Sequence, residues 1–172
     1  ILSSAASDVY KRQVLNFPQQ DGILSYSDFT PFRKWAEDRL EDINNRIPGN
    51  YSSNVKINAA WINRYKKGDY NRAHNHPWSL YSGVVFLTGN SGNMVFIKPN
   101  PYNEEVLKIT NMHDTVPFQS QGGKMVVFPS TLKHFVTENQ NETIRYTLAF
   151  NAMPDKVDDG HTVQFKNCHT DG

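Results

Sequence analysis

The chain has 172 residues, about one domain's worth and enough to bury a core without a disulfide or metal to hold it. Its 18 Lys and Arg against 17 Asp and Glu leave a formal net charge of +1, which argues against a bulk nucleic-acid binder with a basic stripe. The lone cysteine, Cys168, excludes an internal disulfide framework and any site built on several thiolates. No apolar run approaches the roughly 20 residues of a membrane-spanning helix, so a cytoplasmic domain without a membrane partner is expected.

Residues 1–13 are small, polar and unpatterned, and 8–13 resemble translated sequencing adapter. They are set aside as a non-native or disordered leader, which leaves a single domain over 14–154 and a tail over 155–172. The first element is a helix. Thr30 is placed to cap it, Pro31 suits its first position, and Pro48-Gly49 ends it. Phe32, Trp35, Ala36, Leu40, Ile43 and Ile47 recur at three- and four-residue steps and form one apolar stripe. Arg33, Lys34, Glu37, Asp38, Arg39 and Asp42 form the opposite face, expected to be solvated.

From Asn54 the period falls to two. Short β-branched or aromatic runs at Val55–Asn63, Gly83–Thr88, Asn93–Ile97, Lys124–Phe128 and Thr143–Asn151 read as strands, punctuated by Gly and Pro turns. The fold class is therefore mainly β, a sandwich, jelly roll or barrel with the helix packed on its outside. One further strand is expected at His161–Phe165 in the tail.

Histidine is the distinctive resource of this chain. His74-Asn75-His76 precedes the Gly83 strand, and His134 follows the Lys124 strand. Residues two apart on a strand share a face, so His74 and His76 can grip one ion, and a third imidazole from a neighbouring strand completes a triangle. Neutral imidazole suits iron, zinc, copper or nickel, and three protein ligands leave positions open for substrate. His113 lies in a polar loop, and His161, His169 and Cys168 lie in the tail, where no such role is expected.

Gly68, five residues and H-x-H, then Gly123, five residues and Pro129 with His134 beyond, resemble the two metal motifs of the cupins. The acid that normally follows the first motif is absent from Pro77-Trp78-Ser79-Leu80-Tyr81, and Thr131 stands where a glycine is expected. Arg145-Tyr146-Thr147, eleven residues past His134, shifts the resemblance to the Fe(II)/2-oxoglutarate-dependent dioxygenases. Trp61 to Met153, with His74-Asn75-His76-Pro77, Ser82-Gly83-Val84 and Phe128-Pro129-Ser130, is similar to a subgroup common in marine bacteria and their phages.

That resemblance implies a double-stranded β-helix and a hydroxylase using Fe(II), 2-oxoglutarate and O2. It implies iron on His74, His76 and His134, and the far carboxylate of 2-oxoglutarate on Arg145 with Thr147 and Ser82. A guanidinium suits that role because it pairs bidentately with a carboxylate and keeps its charge when buried. The position of His76 is usually an acid in that superfamily, so Asp69 stands as an alternative ligand. Trp61 is expected in the core or pocket, and Trp78 and Tyr81 in the core or at the substrate entrance. Two other readings stay open, a cupin-type three-His enzyme without 2-oxoglutarate and a non-catalytic jelly-roll binding module. The substrate is not legible, and a homodimer through sheet edges is compatible with the fold.

Overall fold

The computed structural model describes residues 22–47, 54–89, 92–99 and 114–155. Two short 3-10 turns, Gly22–Ser25 and Ser27–Phe29, lead into helix α1, Thr30–Asn45. Strands β1 (Val55–Tyr65), β2 (Asn71–His74), β3 (Tyr81–Phe86) and β4 (Asn93–Ile97) follow, then β5 (Thr115–Gln119), β6 (Met125–Pro129), β7 (His134–Val136) and β8 (Arg145–Pro154). They form two four-stranded antiparallel sheets, ordered β1-β8-β3-β6 and β2-β7-β4-β5. The chain alternates between the sheets except at the β4–β5 hairpin, which stays within the second sheet. The leader 1–13, the Pro48-Gly49 stop and the strand expected at His161–Phe165 lie outside the described residues.

Thr30 is the first helical residue and not the cap, which is Phe29 without a side-chain cap hydrogen bond. Pro31 falls in the first turn, where its missing N–H costs nothing. The inward stripe is narrower than the sequence suggests. Ala36 and Leu40 are fully buried, whereas Trp35 and Ile47 are 47% and 45% exposed. The stripe continues instead through Asn44, a buried polar residue whose Oδ1 accepts from the Tyr81 hydroxyl at 3.2 Å.

Nor is the charged face of α1 wholly solvated. Glu37 Oε1 accepts from Arg33 Nε and from the Ile57 N–H, each at 3.0 Å, and its Oε2 accepts from Lys56 Nζ at 3.2 Å. Arg33 Nη2 donates to the Ile57 carbonyl at 3.2 Å. The two side chains thus satisfy backbone groups of an edge strand, the exposed feature that sheets most need to cover.

The register of β1 on β8 shifts between Ile57 and Ala59, leaving Asn58 as the extra residue of a bulge. Val55 and Ile57 before the bulge, and Ala60 and Ile62 after it, pack into one core with Ala36, Leu40, Leu148 and Phe150. The bulge resets the alternation, so Trp61, Asn63 and Tyr65 face the space between the sheets. A second core of Phe86, Met94 and Phe128, with Phe96, Phe118 and Val126 against it, fills part of that space. The polar residues described next occupy the rest.

Three strands escape the period-two reading, β2 (NRAH), β5 (TVPFQ) and β7 (HFV). They are short, polar or proline-bearing. Pro117 is tolerated because β5 lies at the edge of its sheet.

Candidate metal centre

His74, the last residue of β2, lies directly opposite His134, the first residue of β7. His76 lies just past the end of β2, so strand alternation alone does not aim it. Its N–H donates to the Ser130 carbonyl at 2.8 Å, which pins the turn after β6 to the H-x-H segment. The three imidazoles converge, and one ligand atom from each lies within 4.8 Å of the others. Their ring centroids are 5.1, 4.4 and 5.3 Å apart.

Two of the rings are locked by the backbone. His74 Nδ1 lies 2.7 Å from the Arg72 carbonyl, and His134 Nδ1 lies 2.9 Å from the Leu132 carbonyl. A carbonyl only accepts, so Nδ1 carries the proton in each neutral ring and the Nε2 lone pair is left for a metal. His134 is buried, with its ring centroid 4.7 Å from that of Phe128, while His76 sits 5.8 Å from Trp61. An all-imidazole set of this size fits a first-row divalent ion such as Fe(II).

Both His76 and His134 titrate near about 4, below the usual 6.5. Burial is the main cause in each; the charges of His74 and His134 add to it at His76, and at His134 the Leu132 hydrogen bond opposes it. Both rings are therefore neutral and ready to bind metal at pH 7. The unfolded chain binds more protons than the folded one between about 4 and 6.5, so stability rises with pH through that window. Metal-free protein is expected to hold a constant melting temperature above pH 6.5 and to lose stability progressively as the pH falls toward 4. Thermal melts across pH 4–8 check this, and a profile that rises on acidification contradicts it.

Asp69 is not part of the cluster. Its carboxylate accepts from the Lys66 N–H at 2.7 Å and its own N–H donates to the Lys66 carbonyl at 3.1 Å, closing the turn after β1. His113, His161, His169 and Cys168 lie outside the described residues.

Arg145 opens β8 opposite Tyr65, the last residue of β1, and is 1% exposed. Its guanidinium carbon lies 4.3 Å from the Tyr65 ring centre and its Nη2 donates to the Thr137 carbonyl at 3.3 Å. Burial lowers its pKa and pushes that of the Tyr65 hydroxyl up; Arg145 in turn draws the Tyr65 value down. Thr147, two residues along the same face, accepts from Asn63 Nδ2 at 3.2 Å, and its side chain also draws the Tyr65 value down. Arg145 and Thr147 thus share one buried polar pocket with Asn63 and Tyr65.

The expected partnership of Ser82 with them is corrected. Ser82 faces Asn151, six residues along β8 from Arg145 and so about 20 Å away at the usual strand rise. Its hydroxyl is 2.8 Å from that of Ser130 and donates to Asn151 Oδ1 at 2.9 Å. It cannot hold the same carboxylate as Arg145. Tyr81, expected in the core or at the entrance, lies in the helix-side core, whereas Trp78, two residues past His76 in sequence, is 72% exposed.

Sequence reasoning missed Tyr65 and Thr137 and gave Asn63 no part in the pocket. Tyr65 and Asn63 do carry a signal, since they continue the two-residue alternation from Trp61, but the bulge at Asn58 hides where that alternation starts. Thr137 acts through its carbonyl, which no motif reveals.

No curated protein matches this sequence significantly. Among solved structures, EctD from S. alaskensis with bound Fe superposes with a TM-score of 0.57 at 17% identity, covering 83% of this chain and 57% of that one. HygX from Streptomyces hygroscopicus with iron bound gives 0.56 at 11% identity, covering 89% and 77%. The non-heme alpha ketoglutarate dependent epimerase SnoN from nogalamycin biosynthesis gives 0.56 at 13%, covering 74% and 59%. The chain therefore spans under two thirds of the length of two of these three neighbours, and what is shared with them is the fold. A family model described as "Putative 2OG-Fe(II) oxygenase" matches residues 59–151, more than half of the chain, running from within β1 to within β8 and including the three histidines and Arg145. The chain belongs to this 2OG-Fe(II) oxygenase family.

Proposed function

We propose that the protein is an Fe(II)- and 2-oxoglutarate-dependent dioxygenase, a hydroxylase in reaction type, of the H-x-H-P subgroup found in marine bacteria and phages. The observation that carries this reading is the convergence of His74, His76 and His134, two of them with Nδ1 tied down and Nε2 left for a metal. These three residues would hold the iron, which when bound supplies O2 activation coupled to decarboxylation of 2-oxoglutarate to succinate.

The chain's own residues set the conditions for that chemistry. Three neutral ligands leave the ion its full charge of about +2, so a dianionic co-substrate is favoured over a neutral one. Arg145 meets the far carboxylate of that co-substrate, and Thr147 adds a hydroxyl. The Tyr65 ring and the second core exclude water, which strengthens each charged contact. Trp61, whose ring lies 5.8 Å from that of His76, offers an apolar surface beside the metal to a small-molecule substrate.

The buried cation favours this reading over a cupin-type enzyme without 2-oxoglutarate, and the locked imidazoles favour it over a non-catalytic module. Incubating the protein with Fe(II), 2-oxoglutarate and O2 is expected to release succinate in a chelator-sensitive reaction, even uncoupled from a substrate. No succinate above the Arg145→Ala background, from protein shown to carry iron, contradicts it.

A further inference from the structure

Among the described residues, the Arg145 guanidinium has three walls. The Tyr65 ring lies on one side, the Thr137 carbonyl accepts from Nη2, and the third wall is the bare α-carbon of Gly92. A Cβ built on Gly92 would stand 2.2 Å from Arg145 Nη1, 3.1 Å from Thr137 Oγ1 and 3.2 Å from the Thr137 carbonyl oxygen. Gly92 also has φ +75°, in the left-handed region that side chains disfavour.

We infer that Gly92 is a positioning residue, whose missing side chain seats Arg145 and thereby sets affinity for the dicarboxylate co-substrate. The inference rests on the reading of Arg145 as the carboxylate clamp.

Neither neighbour can yield to an added methyl group. Thr137 is fastened to β4, its N–H donating to the Asn93 carbonyl at 2.9 Å and its Oγ1 accepting from the Asn93 N–H at 2.7 Å. Gly92 is fastened too, since its carbonyl accepts from the hydroxyl of buried Ser120 at 2.5 Å. The guanidinium, the end of a flexible side chain, must therefore move, and it moves from the seat it has against the Tyr65 ring and the Thr137 carbonyl. A bidentate contact tolerates little displacement, and disrupting one partner of a buried hydrogen-bonded charge pair costs on the order of 10²-fold in affinity.

The protein itself supplies a control for backbone strain. Gly123 has φ +82° with nothing within 4 Å of its built Cβ, so alanine there brings the same strain without the clash. The experiment is an anaerobic calorimetric titration of the full Fe(II)-loaded chain with 2-oxoglutarate, with Fe(II) affinity measured separately. Gly92→Ala is expected to weaken 2-oxoglutarate binding by about 10²-fold with Fe(II) affinity unchanged, and Gly123→Ala to leave both at wild-type values.

Wild-type 2-oxoglutarate affinity in Gly92→Ala, or an equal loss in Gly123→Ala, overturns the inference. Arg145→Lys tests the underlying reading separately, because unchanged 2-oxoglutarate affinity there removes the clamp and not merely its seat. Should Gly92→Ala not fold, Gly92→Ala with Arg145→Lys decides the matter. Binding no weaker than Arg145→Lys alone supports the clash, and a further loss overturns it.

Discussion

His134→Ala is expected to lower Fe(II) affinity by at least 10²-fold and to abolish succinate formation. His134 is 3% exposed, its ring is oriented by the Leu132 carbonyl, and its partner across the β2–β7 ladder is His74. Losing an orienting partner of a metal ligand typically costs about 10- to 100-fold in affinity, and losing the ligand itself costs more. The truncation also removes a ring packed on Phe128, so a modest fall in the melting temperature of metal-free protein accompanies it. Metal analysis after anaerobic reconstitution and desalting checks the prediction, with His113→Ala as a variant that keeps its iron. One tightly held equivalent of iron in His134→Ala contradicts it.

The largest expected effect on stability comes from a position with no chemistry. Gly83 lies opposite Phe150 on the β3–β8 ladder, and a Cβ on Gly83 would stand 2.1, 2.5 and 2.7 Å from three atoms of the Phe150 ring. Phe150 is 0% exposed and is hemmed in by the helix-side core, including Phe32 at 6.4 Å between ring centroids. It has nowhere to retreat. Overpacking of this kind usually costs about 1–3 kcal/mol, and contacts this short place Gly83→Ala at the upper end or beyond. For a chain of this size about 3 kcal/mol lowers the melting temperature by about 6–12 °C. Gly83→Val is expected to be worse, and Phe150→Leu in the Gly83→Ala background to recover part of the loss. Thermal and urea unfolding of the metal-free protein measure it, and unchanged stability in Gly83→Ala contradicts the packing described here.

What could be read from the sequence follows physical lines. The helix and the long strands carry strong periodicity, because each buries one face against a core. The short strands β2, β5 and β7 carry none, since three to five residues with polar or proline members hold no period. The triad was visible because H-x-H and His134 flank recognisable strands. That His76 stays in the cluster through a hydrogen bond to Ser130, and not through strand geometry, was not visible. Ser82 was paired with Arg145 on a motif, and register along β8 separates them. Tyr65 and Gly92 were out of reach for opposite reasons. One is hidden by a bulge in the alternation, and the other acts by having no side chain.

In the proposed function, three imidazoles and one buried guanidinium form a single site for a metal and 2-oxoglutarate. Anaerobic titration of 2-oxoglutarate into the full chain, with and without one equivalent of Fe(II), tests it most directly. One 2-oxoglutarate is expected to bind per iron, with little binding when the metal is withheld or when His74, His76 or His134 is replaced by alanine. Binding of equal strength without metal, or its persistence in all three variants, would contradict it.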